Sequence, residues 1–178
     1  MGKCTEVQQR FADADRDKKL AAITAKLTLA QRQLYDRVYN AEDNFEIVRV
    51  NNEVDQSGTA RAMFALSDRG KLRDQFLINL ERFSKSDIPQ AAAADVKNLD
   101  AQMNLLYQKI VQAPEDAFAG TVKPSGIQDT QRAWLKLRDA WMDFAKSAYP
   151  GLSPDRVMGQ LIRLRLNQLN LLPVDVRK

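Results

Sequence analysis

Apolar residues recur at intervals of three and four along almost the whole chain, and this spacing limits the possible folds more than any other feature. Such spacing places apolar side chains on one face of an α-helix, whereas a half-buried strand requires alternation. Alternating runs of Val, Ile and Thr are almost absent. The sequence therefore predicts an all-α helical bundle without a sheet. The six predicted helices cover, in order, residues 6–27, 28–54, 60–83, 91–111, 125–149 and 154–172.

Three of the predicted helix starts carry local signals. Thr28 followed by Gln31 is a capping box, in which each side chain bonds a backbone N–H of the other residue. Ser125 and Gln128 have the same spacing and predict the start of the fifth helix. A Ser-Pro pair at 153–154 predicts the start of the sixth, because proline fits the first helical position.

A polar, proline-containing segment at 84–90 is the best candidate for a linker. It divides the chain into two antiparallel three-helix units, predicted at 5–83 and 91–173. The second and fifth helices share a pattern when a shift of one position is allowed. Gln31, Arg32 and Phe45 of the second helix correspond to Gln131, Arg132 and Phe144 of the fifth. An internal duplication with a degenerate first copy would explain this agreement, and so would chance similarity between two amphipathic helices.

Composition excludes several classes of function. The 27 basic and 23 acidic residues are interspersed and give a net charge of +4, without the basic stripe of a nucleic-acid-binding protein. The chain has no histidine and one cysteine, which removes histidine acid-base catalysis and nearly every zinc site. We therefore expect no metal and no cofactor.

The N-terminal residues bear on where the protein acts. No run approaches the roughly 18 apolar residues that a membrane helix needs, and the start, Met1-Gly2-Lys3, has no apolar signal core. We interpret this start as replacing a removed segment such as a signal peptide. Cys4 would then lie near a mature N-terminus as a free thiol, an intermolecular link or a lipidated residue, and these alternatives remain open.

The fifth helix carries a continuous apolar stripe, which predicts a core-facing surface. The stripe consists of Trp134, Leu137, Trp141, Phe144, Ala145 and Ala148. Packing of both tryptophans in the core is one interpretation. The other is that Trp141, at the edge of the stripe, is partly exposed and contacts a partner, since aromatic residues are enriched at interface hot spots.

The same helix contains an adjacent charged pair, Arg138 and Asp139. Arg138 lies four residues after one tryptophan and three before the other, so its guanidinium is expected between the two rings as a cation-π contact. Asp139 is rotated by about 100° and is expected to face elsewhere, towards Lys136 or Arg165. Both interpretations are structural, and neither requires catalysis.

The sixth helix has three arginines, and no acidic residue after Asp155 offsets them. Arg156, Arg163 and Arg165 form either a solvated rim or a patch for an acidic partner. Lys123 lies in the long Pro/Gly-rich loop before the fifth helix.

The C-terminal half resembles the LprI family, named for lysozyme inhibition. The most specific part of the resemblance is a run of the form Gln-Arg-x-Trp-x-x-x-Arg-Asp followed by Phe. The family-motif residues, which we interpret as structural, are Gln131, Arg132, Trp134, Arg138, Asp139, Phe144 and, in the next helix, Arg165. Less specific matches fall at Met103, Asn104, Tyr107, Ile110, Met158, Leu161 and Leu169. The resemblance covers residues 95–172.

The sequence departs from the family pattern at three positions. Where the family pattern has two cysteines, this chain has Met142 and Val157, and where the family has a threonine it has Ile162. The resemblance implies that Met142 and Val157 face each other across the hairpin of the last two helices, where relatives form a disulfide.

The resemblance implies a periplasmic or secreted helical protein of the cell envelope that binds a lysozyme or another peptidoglycan hydrolase without catalysis. Candidate partner-binding residues are Trp141, Arg138, Lys123, Arg156 and Arg163. Lys123 could enter a sugar-cleaving cleft, because such clefts carry paired carboxylates. Animal-type lysozymes are themselves basic, however, and would attract a chain of net charge +4 poorly.

Two other functions remain open at this stage. An immunity or adaptor protein that neutralises a specific toxin, or binds another envelope protein, could use the same helical surface. An enzyme using carboxylates alone could place Asp139 and Asp143 on one helix face, but solvated helix charges are far commoner than such pairs. No phosphate-binding loop or metal-ligand cluster supports catalysis, and we expect no enzymatic activity.

Overall fold

The computed structural model describes the backbone of residues 2–175 and the side chains of residues 11–175, so the side chain of Cys4 lies outside the described residues. Within this range the all-α prediction is confirmed, with six α-helices and no strand beyond an isolated bridge between Phe118 and Val174. The helices are α1 Gly2–Thr24, α2 Leu29–Glu53, α3 Arg61–Ser84, α4 Ala93–Val111, α5 Pro124–Ala148 and α6 Pro154–Asn170. A short 3-10 helix, Glu115–Ala117, lies between α4 and α5.

Two of the three predicted helix starts are confirmed. Thr28 and Gln31 form the capping box at the start of α2, with bonds of 3.0 and 3.3 Å between side chain and backbone. The predicted capping box at Ser125 is wrong, because α5 already begins at Pro124. Proline has its φ fixed near the helical value and lacks the N–H that a first-turn residue leaves unbonded, so it starts the helix one residue earlier. The Ser-Pro pair at 153–154 starts α6 as predicted.

Helices α2 and α5 form the most extensive helix pair in the described structure, and they run antiparallel. At one end the side-chain amide of Gln31 donates to the carbonyl oxygen of Ser147 at 2.9 Å. At the other end Gly126 lies against Asn52 so closely that an added Cβ would come within 2.8 Å of the Asn52 Oδ1. The glycine is therefore required for the close approach of the two helices.

A single hydrophobic cluster joins all six helices. Its centre is aromatic: the Trp141 ring lies 5.3 Å from that of Phe76 and 5.2 Å from that of Phe83, the latter edge to face. Both phenylalanines belong to α3, whereas Trp141 belongs to α5. The core is thus continuous across the two predicted units, and their division at 84–90 stays a prediction.

The loop that leads from α4 to α5 is held from two sides. On one side Asp55 accepts hydrogen bonds from the Thr121 amide and from the amide and hydroxyl of Ser57, which lower the pKa of its carboxyl. Gly120 has φ +64° and lies directly against Asp55, so its missing Cβ is needed for this contact. On the other side the Ala119 amide donates to the carbonyl oxygen of Pro173 at 3.0 Å.

Candidate functional site

Arg165 is the family-motif residue of α6, and its side chain is fully buried between three helices. Its Nη2 and Nη1 donate to the two carboxylate oxygens of Glu53 at 2.6 and 3.0 Å, a bidentate ion pair. Its Nε donates to the side-chain oxygen of Gln131 at 2.9 Å. These bonds fix α6 to both α2 and α5. The expectation that Arg165 lies on a solvated rim or an exposed patch is therefore wrong.

Further charges surround this pair. The Arg49 Nε lies 3.3 Å from Glu53, and Arg49 also binds Asp68 of α3. The guanidinium carbon of Arg165 lies 5.7 Å from the centre of the Phe45 ring. Each buried charge therefore has an opposite charge or an aromatic face beside it, as burial requires. Glu53 could not be singled out from the sequence, because it precedes Arg165 by 112 residues and has no local signal.

The aromatic residues of the motif belong to the core. Trp134, Trp141 and Phe144 are 4%, 1% and 0% exposed. The interpretation of Trp141 as a partly exposed partner contact is wrong, because α3 supplies two phenylalanines that cover its ring. The alternative interpretation, that both tryptophans pack in the core, is confirmed.

Arg138 and Asp139 bond each other, and the expectation that they make separate contacts is wrong. The Nε and Nη2 of Arg138 lie 2.8 and 2.7 Å from the Asp139 Oδ1. The guanidinium carbon also lies 5.7 Å from the centre of the Trp134 ring, which confirms one of the two predicted cation-π contacts. The long arginine side chain can fold across the ring and still reach the next residue, whereas Arg165 is occupied by Glu53.

The other two arginines of α6 also face inward in part. Nη2 of Arg156 donates to the carbonyl oxygens of Ser86 and Ile88, so Arg156 holds the segment before α4 against α6. Arg163 is partly buried, with its Nη1 beside Gly159. Arg165 is therefore not part of the predicted patch for an acidic partner, and partner binding by Arg156 and Arg163 stays a prediction.

Lys123 and Arg132 are exposed at and near the start of α5. Lys123 is exposed at the N-cap, directly after the loop that Asp55 holds. Arg132 is exposed and pairs with Asp129 one turn earlier. Such surface pairs contribute little to stability.

An open groove of about 350 Å³, which we name the α4–α6 groove, runs beside Arg138. It is lined by Ala93, Val96, Lys97, Asp100, Arg138, Asp155, Met158 and Ile162. Two cations and two carboxylates border an apolar floor, so the charges of the groove balance. A concave, partly apolar surface with a few charged groups is typical of a binding site. The motif residue Arg138, which is partly exposed, contributes to its lining.

Among the side chains at 11–175, no group of three or more Asp, Glu or Cys residues is placed to hold a metal ion. No helix in the described part of the chain is both long and apolar enough to cross a membrane.

The fold is an all-α bundle in which two polar motif residues, Gln131 and Arg165, join α5 and α6 to each other and to α2. Within this bundle, residues 82–169 match the family described as lysozyme inhibitor LprI, the same part of the chain in which the sequence resembles that family. The matched segment begins at the end of α3 and ends inside α6, so it contains Gln131 and Arg165 but not Glu53. No curated protein and no solved structure matches the chain.

Proposed function

We propose that this chain is an extracytoplasmic protein that binds a lysozyme or another peptidoglycan hydrolase and inhibits it without catalysis. The observation that carries the proposal is the match of residues 82–169 to a family of lysozyme inhibitors. The periplasm or the cell exterior is where such an enzyme would be met. An inhibitor needs a complementary surface but no catalytic group, which suits a chain without histidine.

The surface we assign to this binding is the α4–α6 groove with the Arg138–Asp139 pair at its edge. Arg138 is suited to an interface because its guanidinium is already held by Asp139 and by the Trp134 ring. A preorganised arginine loses little conformational entropy on binding. The balanced charges of Lys97, Asp100 and Asp155 favour local complementarity over long-range attraction.

A turbidity assay on bacterial cell walls tests the proposal, with several lysozyme types and this protein in molar excess. Lysis by at least one type should slow. In the variant Arg138→Glu we expect the inhibition constant to rise about tenfold, the effect of losing one interface hot spot. The matched control is Arg132→Glu, which reverses a charge at an exposed position of the same helix outside the groove lining, and it should inhibit like the wild type.

The outcomes separate the alternatives. If no lysozyme type is slowed, inhibition is excluded, and capture of a different envelope protein would favour an adaptor or immunity function. If inhibition occurs but Arg132→Glu weakens it as strongly as Arg138→Glu, the assignment to the α4–α6 groove is wrong. Affinity capture from a periplasmic extract, followed by mass spectrometry, identifies the partner in either case.

A further inference from the structure

Outside the matched half, helices α1, α2 and α3 enclose a cleft of about 280 Å³, which we name the α1–α3 cleft. Its apolar surface comes from Leu20, Tyr39 and Phe76, and the Tyr39 ring meets the Phe76 ring nearly edge to face at 6.0 Å. Its charged lining is Asp13, Arg16, Asp17, Glu42, Asp43, Glu46 and Arg73. With five carboxylates and two guanidinium groups, the lining of the cleft has a negative net charge, whereas the net charge of the whole chain is positive.

Both cations of the lining are already bound. Arg16 donates to Asp74 at 2.8 and 3.1 Å and also binds Asp13. Arg73 donates to both carboxylate oxygens of Glu46 at 2.9 and 3.1 Å. The positive charges of the cleft therefore neutralise Asp13 and Glu46 and are not available to the other carboxylates.

Three carboxylates remain in the cleft. Among the described residues, Asp17, Glu42 and Asp43 have neither an ion-pair partner nor a hydrogen bond. Asp17 and Asp43 are exposed at the mouth, whereas Glu42 is partly buried and lies between the cleft and the aromatic core. Burial and the neighbouring Glu46 raise the pKa of Glu42 to about 8.

We propose that the α1–α3 cleft binds a small organic cation, an alkylguanidinium or alkylammonium group whose carbon stem packs on Tyr39 and Phe76 and whose charged end meets Glu42. Charge-assisted bonds to a carboxylate and contact with an aromatic face are the interactions that bind such cations. A volume just below the usual range for drug-sized ligands suits one side chain or a small amine. The described carboxylates do not form a metal-ligand group, which favours an organic cation over a metal ion.

The position of Glu42 couples this binding to pH. The charged groups around Glu42 are Asp13, Arg16 and Asp17 on α1, Tyr39, Asp43, Glu46 and Arg49 on α2, and Arg73 on α3. The side chains of α5 and α6 that line the adjoining pocket with Glu42 are Trp134, Leu137, Trp141, Leu161, Leu164 and Gln168, and none of them titrates. With a pKa of about 8, Glu42 is about one-tenth ionised at pH 7 and about nine-tenths ionised at pH 9. A cation that requires the carboxylate should bind about tenfold more tightly at pH 9 than at pH 7.

Isothermal titration calorimetry with butylguanidinium tests the proposal, and butylurea serves as its neutral isostere. Butylguanidinium stays charged at pH 9, as arginine does. We expect saturable binding of the cation, no binding of butylurea, and the tenfold rise in affinity between pH 7 and pH 9. Absence of saturable binding, or equal binding of butylurea, would overturn the proposal.

Variants locate the site. Glu42→Gln should weaken binding about tenfold at pH 9 and remove the pH dependence. The fold should tolerate it, because Glu42 is mostly protonated at pH 7, and Asp17→Asn at the exposed mouth gives a second, milder variant that should weaken binding about threefold. The control Glu115→Gln, an exposed carboxylate on the 3-10 helix, should bind like the wild type. Equal binding by the folded Glu42→Gln protein and by the control would overturn the proposal.

Two further probes distinguish a basic side chain of a protein from a free small molecule as the source of the cation. N-acetyl-arginine amide represents a basic side chain of a protein partner, and spermidine represents a free polyamine. Tighter binding of the first supports recognition of a protein, and tighter binding of the second supports a small-molecule ligand. These titrations do not involve a lysozyme, so their result is independent of the inhibition assay.

Discussion

Replacing Arg165 with methionine should destabilise the whole molecule. Arg165 and Glu53 have fully buried side chains that bond through two N–H groups at 2.6 and 3.0 Å. Without the arginine, Glu53 would stay buried with Arg49 as its remaining cation, 3.3 Å away. Removing one partner of a buried pair costs about 3 to 5 kcal/mol of the free energy of unfolding. Gln131 would also lose the donor that now bonds its side-chain oxygen.

A second substitution isolates the charge. Glu53→Gln alone leaves Arg165 buried without its carboxylate and should cost a similar amount. In the double variant Glu53→Gln with Arg165→Met, neither buried charge remains. Its loss of stability should therefore fall below the sum of the two single losses by at least about 2 kcal/mol, the signature of direct coupling.

Urea unfolding followed by circular dichroism measures these free energies. The control is Arg132→Met, which breaks the exposed pair with Asp129 and should change stability by less than about 1 kcal/mol. If Arg165→Met costs no more than the control, or if the two single losses simply add, Arg165 and Glu53 are not a buried pair in solution.

Three further outcomes are expected. Met142→Cys with Val157→Cys should form an intramolecular disulfide worth about 3 kcal/mol, because the family pattern has cysteines at these two positions; purely intermolecular oxidation on non-reducing gels would contradict the family alignment. Gly120→Ala should cost about 2 kcal/mol more in urea unfolding than Gly58→Ala, because both have positive φ but only Gly120 has a carboxylate where the Cβ would lie; equal losses would refute this. Because the pKa of Glu42 is raised to about 8, its contribution to the free energy of unfolding is complete below about pH 4.5 and is lost as pH rises to about 8. Glu42→Gln should flatten this decline of stability with pH, and an unchanged decline would contradict the raised pKa of Glu42.

The helices could be predicted from sequence because their determinants are local. Three-and-four spacing depends on residues within one or two turns, and the capping box of Thr28 and Gln31 spans four positions. The wrong prediction of a capping box at Ser125 also has a local cause, because Pro124 starts the helix one residue earlier. Local signals decide the existence of each helix, and competition between them moves its end.

The burial of charged and aromatic groups could be predicted only in part. Trp134 and Phe144 lie on the stripe of α5 and are buried, as its periodicity indicates. For Trp141, at the edge of the stripe, exposure depends on whether another helix covers it, and the covering residues belong to α3. The partner of Arg165 could not be predicted, because one acidic residue among many gives no pairing signal in a single sequence.

The position of Glu53 has a consequence for the origin of the two halves. The ion pair joins a family-motif arginine to a residue outside the matched segment, so the C-terminal half completes its core with α2. Antiparallel packing of α2 and α5 is the arrangement that an approximate two-fold axis between duplicated helices would produce. Gln31 then lies at the end of α5, and Gln131 lies near the end of α2. The duplication stays a prediction. The two glutamines have different roles, since Gln31 donates to a backbone carbonyl and Gln131 accepts from Arg165. If the halves share an origin, the buried charge belongs to one copy, and its counterion comes from the other.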